Sequence, residues 1–132
     1  MKYFLLKTEP SSYSYDMLEK EGKTVWDGVK NPLAQKFIKS AKPEDMAYIY
    51  HTGDEKAIVG LAKIVSSPYQ DSSGLFVFDI VPIRRLKRKI SLSEIKSIEA
   101  FKDFYLVKMP RLSVMEVPEH LVKVIENLEQ SL

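Results

Sequence analysis

Apolar residues recur along this chain with two periods, and each period predicts a kind of element. Tyr3, Phe4, Leu5 and Leu6 form an unbroken apolar run, which predicts a strand over 2–7 buried on both faces. Strands are likewise expected over 46–51 (MAYIYH) and 57–65 (AIVGLAKIV), joined by a hairpin at Gly53 and Asp54. Gly60 inside the second marks a bulge or a close backbone approach. The longest strand is expected over 75–86, where Pro82 requires an edge or a bulge. Short extended pieces are expected at 24–26 and 111–117, 66–74 reads as a polar loop, and 103–109 fits neither template.

Helical spacing appears between these runs. Ser14 can cap a helix ending at Gly22, with Tyr15, Met17 and Leu18 turned inward. Asn31 and Pro32 supply a cap and a first helical residue, so Leu33, Phe37 and Ile38 predict a helix over 32–40. Ser91 and Glu94 form a capping box, and Pro118 opens a last helix whose Leu121, Val124, Ile125 and Leu128 share one face. Short strands with Gly and Pro breaks and small helices between them predict an α+β fold. It is a small curled sheet or barrel of five or six strands with peripheral helices. No repeat or linker divides the chain, and its 132 residues fit one domain over 1–132.

Composition narrows the function. Apolar residues make up 45% of the chain, enough for a core, but no run approaches the roughly 20 apolar residues that cross a bilayer. The N-terminal run lacks the long apolar region and cleavage site of a signal peptide, so no membrane partner is expected. The absence of cysteine excludes disulfides and thiol nucleophiles and suits a reducing cytosol, the expected location. A net charge of +2 is low for a protein that coats nucleic acid, so any such contact should use a local patch or a pocket. The densest charge run holds Arg84, Arg85, Lys87, Arg88 and Lys89. It reads either as a phosphate-binding patch or as a solvated strand end with gatekeeper charges.

The segment 24–36, TVWDGVKNPLAQK, concentrates the candidate chemistry. It places the only tryptophan, Trp26, beside a turn at Gly28 and a capped helix entry, so the ring is either a wall for a planar ligand or a core anchor. Tyr3, Tyr13, Tyr15, Tyr48 and Tyr50 add aromatic density that suits base stacking, worth about 1–3 kcal/mol per base, or a barrel core. His51 can contact a base edge, serve as a general base, or be a structural residue. His120 is far from it, and without cysteines the two make a poor metal set, so neither metal nor cofactor is expected. No nucleophile elbow, P-loop or dinucleotide fingerprint is present, which leaves an enzyme with His51 as base the weakest reading.

Five motifs in order resemble one family. KYFLLKTEP at 2–10, TVWDGVKN at 24–31, YHTG at 50–53, IVG at 58–60 and RLSVM at 111–115 are similar to the EVE domain, a PUA-like family. The resemblance implies a PUA-like β-barrel and a non-enzymatic pocket that reads a modified base, such as 5-methylcytosine or its oxidised forms in DNA. It implies that Trp26 forms a stacking wall, that Gly28, Val29, Lys30 and Asn31 read base edges, and that Tyr50 and His51 line the opposite side. Leu112 and Ser113 would close the pocket, with Lys7, Glu9 and Pro10 at its rim. The run from Arg84 to Lys89 would then grip phosphates. A PUA-like protein acting on transfer or ribosomal RNA is the neighbouring alternative.

Overall fold

The structure is a computed structural model that describes residues 1–131. Two strands pair in parallel at its centre, β1 (Tyr3–Thr8) and β3 (Met46–His51), with Thr8 opposite His51. β2 (Thr24–Trp26) lies at one end of the sheet. β4 (Ala57–Ile64) follows β3 through the expected hairpin, and β6 (Phe76–Ser91) and β7 (Val114–Val117) complete the order β2-β6-β4-β3-β1-β7. β5 (Tyr69–Gln70) adds a short edge to β6. Every pairing except β1 with β3 is antiparallel.

The sheet curls into a half-barrel whose end strands, β2 and β7, do not pair with each other. α2 (Pro32–Ser40) packs against both β6 and β7 and so spans the gap. Its buried Ala34 and Ile38 join Phe4, Leu6, Phe78 and Met115 in a continuous apolar core. α1 (Tyr15–Glu21) lies against β6, and its Tyr15 hydroxyl donates to the Leu61 carbonyl at 2.7 Å. α3 (Leu92–Lys96) and α5 (Glu119–Gln130) also pack on β6, and α4 (Tyr105–Lys108) stands between α3 and β7 in the chain. Among the described residues no helix is long and apolar enough to cross a membrane.

Several expectations shift. β6 continues through the charge run to Ser91, because β4 offers Ile58 and Ala57 as partners for Ile90 and Ser91. Pro82 sits at a register shift within β6, opposite Ala62. Gly60 borders another shift, and a Cβ there would stand 2.4 Å from the Tyr15 ring. The loop over 66–74 holds β5, and the ambiguous 103–109 stretch forms α4. Met17 is 40% exposed, because α1 turns Tyr15 and Leu18 inward and leaves Met17 on the solvent side.

Candidate functional site

The open seam ends in a cleft of about 450 Å³, within the roughly 300–1,000 Å³ usual for small-ligand sites. One wall comes from β2 and the turn after it: Trp26, Asp27, Gly28 and Val29. The other comes from the end of β1 and the approach to β7: Lys7, Thr8, Glu9 and Ser113. Tyr13 also borders the cleft.

Local hydrogen bonds fix both walls. Gly28 takes a φ of +74°, which lets the chain turn from β2 towards α2. Gln35, buried on the inner face of α2, donates to the Val29 carbonyl at 2.8 Å and to the Phe76 carbonyl at 3.0 Å. Its carbonyl accepts from the Phe76 N–H at 2.9 Å, so one amide ties the Trp26 turn to β6. On the other wall the Lys7 N–H donates to the Ser113 carbonyl at 2.9 Å, holding residues far apart in sequence side by side.

The indole of Trp26 is only 8% exposed and meets the Tyr13 ring edge-on, with centroids 6.1 Å apart. Packing thus fixes the ring as a wall and leaves a small part of it towards the cleft. Burial, followed by the hydrogen bond to Glu21, pushes the Tyr13 hydroxyl up to about 12. Opposite stand two unlike charges. Burial lowers the Lys7 ammonium from its ordinary value, and the ammonium donates to the Pro110 carbonyl at 2.8 Å. The Ser11 hydroxyl and N–H bind one oxygen of Glu9 and hold its carboxyl below the usual range. The cleft therefore offers a donor and an acceptor on one wall and an aromatic on the other.

Other residues expected at the site lie elsewhere. His51 is buried outside the cleft lining, between β1 and β4. Its Nε2 accepts from the Tyr15 N–H at 3.1 Å and its Nδ1 donates to Glu55 at 2.8 Å, so both ring nitrogens are occupied. The tautomer follows from those two partners. Tyr50 is buried and lines a separate cavity, with the Lys7 ammonium 5.8 Å from its ring centroid. Leu112 is buried in the core. Asn31 uses its side-chain oxygen as the cap of α2, accepting from the Leu33 and Ala34 N–H groups. Lys30 and Pro10 do not line the cleft.

The charge run is met by carboxylates of the same chain. Arg84 pairs with Glu129, Arg85 with Asp16 and Glu19, Arg88 with Glu94, and Lys89 with Glu55. Burial disfavours an ionised Glu129. Arg84 and the Lys87 N–H outweigh that effect and keep its carboxyl below the ordinary range. The Lys87 side chain donates to Gln130 at 2.9 Å. Among the described residues no acidic or histidine cluster could hold a metal ion.

Thr8 and Gln35 carry no expected role from sequence, and Tyr13 stands there only as one of five tyrosines suited to stacking or a core. Gln35 had a signal: it is a polar residue on the helix face that carries Ala34 and Ile38. Nothing local marks Thr8 or sets Tyr13 apart from the other tyrosines; both reach the cleft only through the pairing of distant strands.

The EVE domain family model matches residues 2–128. Thymocyte nuclear protein 1 of Rattus norvegicus is 30% identical over 98% of this chain and 74% of its own length. The Homo sapiens protein of that name is 27% identical over 97% of this chain and 74% of its own. Human THYN1, solved in complex with DNA containing 5-methylcytosine, is similar with a TM-score of 0.94 and 26% identity, covering 100% of this chain and 99% of that one. An NMR structure of a Rhodopseudomonas palustris protein gives 0.91 at 32% identity, over 98% of this chain and 93% of that one. The curled mixed sheet with its peripheral helices is the PUA-like fold these neighbours share.

Proposed function

This chain belongs to the EVE domain family, and from that premise we propose that its seam cleft binds a single unstacked nucleobase of DNA, a modified cytosine. The protein acts as a binding module rather than an enzyme. The observation that carries this reading is the cleft itself, lined by the aromatic Trp26 on one side and by the charged residues Lys7 and Glu9 on the other. The DNA-bound state of human THYN1, a relative of the same fold, supports the choice of partner.

The chemistry fits a base that presents an amino group beside an acceptor, as cytosine does. A carboxylate accepts from the exocyclic amine of cytosine, and a lysine donates to a ring nitrogen or carbonyl. Ser11 binds Oε2 alone, so the Glu9 carboxylate keeps acceptor lone pairs for that role. Thymine would turn a carbonyl towards the same carboxylate and be rejected. Removing a base from its stack costs a few kcal/mol, least in single strands. Contact with the aromatic wall and the paired polar groups offsets that cost. A buried methyl adds about 0.8 kcal/mol, roughly fourfold in affinity, while an oxidised methyl adds hydrogen bonds and discriminates further.

Because Trp26 is the only tryptophan, its emission reports on the cleft alone. Single-stranded DNA with one 5-methylcytosine should quench it and bind roughly fourfold tighter than the unmodified strand. Binding seen by anisotropy without any change in indole emission, or equal affinity for both strands, would refute the proposal. Tighter binding of the matching RNA would move the partner to RNA.

A further inference from the structure

Ion pairing divides the basic residues of this protein into two groups. Arg84, Arg85, Arg88 and Lys89 each face a carboxylate. Among the described residues Lys7, Lys56 and Lys96 belong to the larger group that forms no ion pair, with Lys87 and several other surface lysines. These three lysines line a second cavity of about 310 Å³ together with Tyr50, and no carboxylate lines it. The topology gathers them: Lys7 and Tyr50 are register partners near the ends of β1 and β3, Lys56 precedes β4, and Lys96 ends α3.

The second cavity adjoins the cleft, because Lys7 lines both. The ammonium has three N–H groups and gives one to Pro110, so two remain for a ligand. The nearest acids are accounted for. Glu55 is held by His51 and Lys89, and Asp54, which pairs with no lysine among the described residues, borders a neighbouring hollow that Lys56 and Lys96 also line. Glu9 Oε1 lies against Gly53 at one edge of this cavity, where an added Cβ would stand 2.7 Å from it, so an anion would seat at the opposite side, among Lys56 and Lys96.

We propose that this cavity is a phosphate site, and that it holds the backbone phosphate next to the nucleotide in the cleft. The proposal rests on the cleft reading above. It moves the electrostatic grip from the run at 84–89, where four of the five basic residues pair with carboxylates of the same chain, to Lys7, Lys56 and Lys96. Such a grip carries no sequence information and shows itself as salt dependence.

The test is the Lys56→Gln, Lys96→Gln double variant, since both side chains are exposed and their loss leaves the core intact. Affinities for the 5-methylcytosine strand and its plain counterpart are measured between about 50 and 200 mM salt. The expected slope of log affinity against log salt flattens by about 0.7 for each phosphate contact removed. Both strands should weaken by the same factor, leaving their ratio at the wild-type value. A Lys87→Gln, Lys89→Gln variant should keep the wild-type slope. An unchanged slope in the first variant, or flattening only in the second, overturns the phosphate site while the cleft reading stands. A wild type that binds neither strand overturns both.

Discussion

Trp26 and His51 are almost equally buried, at 8% and 6% exposed, yet only the indole borders the cleft. The difference lies in their strands. β2 is an end strand paired to β6 alone, so its far side opens onto the seam. β3 is an inner strand, with β1 on one side and β4 on the other, and His51 spends both nitrogens inside the fold. A ring on an end strand can be packed on one side and available on the other. Burial alone therefore did not separate a core residue from a site residue; position in the sheet did.

Two glycines draw the same contrast. Gly60 sits on the closed half, where a Cβ would meet the Tyr15 ring at 2.4 Å. That ring is fully buried and its hydroxyl is tied to Leu61, so it has no room to withdraw. Gly60→Ala should cost about 3 kcal/mol or more, read as a fall in urea midpoint. A loss below about 1 kcal/mol would mean that the closed half yields as easily as the seam.

His51→Ala comes next. It leaves the buried Tyr15 N–H without an acceptor and Glu55 with Lys89 as its remaining partner. The expected loss is about 2–3 kcal/mol of stability, with the preference for a modified strand unchanged in the folded protein. A stable variant that has lost the preference would return His51 to the cleft and end the comparison. The variant should also change the response to acid. The His51 hydrogen bond holds the Glu55 carboxyl below its ordinary range. The stability it supplies is complete above the usual glutamate value of about 4.3. It drains away as pH falls through the lower native value, because the unfolded chain takes up the proton first. Acid unfolding of His51→Ala should lack that component.

Much of this architecture was readable because local chemistry agreed with the fold. Ser14, Asn31 and Ser91 cap the helices their positions announced, and Phe4, Leu5 and Leu6 of the apolar run in β1 are buried as its lack of alternation implied, with Tyr3 half-buried at its start. The last five residues of β6, 87–91, were hidden. Only Ile90 is buried there, and the charges between Leu86 and Ile90 suggested a strand end. The charges of the run at 84–89 are tolerated because carboxylates from α1, α3 and α5 cover them. The cleft was legible in part. Its Trp26 turn is one continuous segment, whereas its other wall needs β1 beside both β3 and β7, and no local pattern encodes that pairing. The motif resemblance named both walls, but motif proximity also drew in His51, Leu112 and Asn31, whose groups serve the fold.

The smallest expected effect belongs to Gly28, on the open side. Its φ is +74°, and a Cβ there would find nothing within 4 Å. Gly28→Ala therefore meets only backbone resistance, about 1–2 kcal/mol for a left-handed residue with a side chain, and no steric penalty. The turn should keep its shape, because Gln35 still anchors the Val29 carbonyl. Indole emission and the affinity ratio of the two strands should then stay at wild-type values. A cost matching that of Gly60→Ala would show that the turn beside Trp26 is as tightly enclosed as β4, and the seam would no longer be the place where this fold leaves room for a ligand.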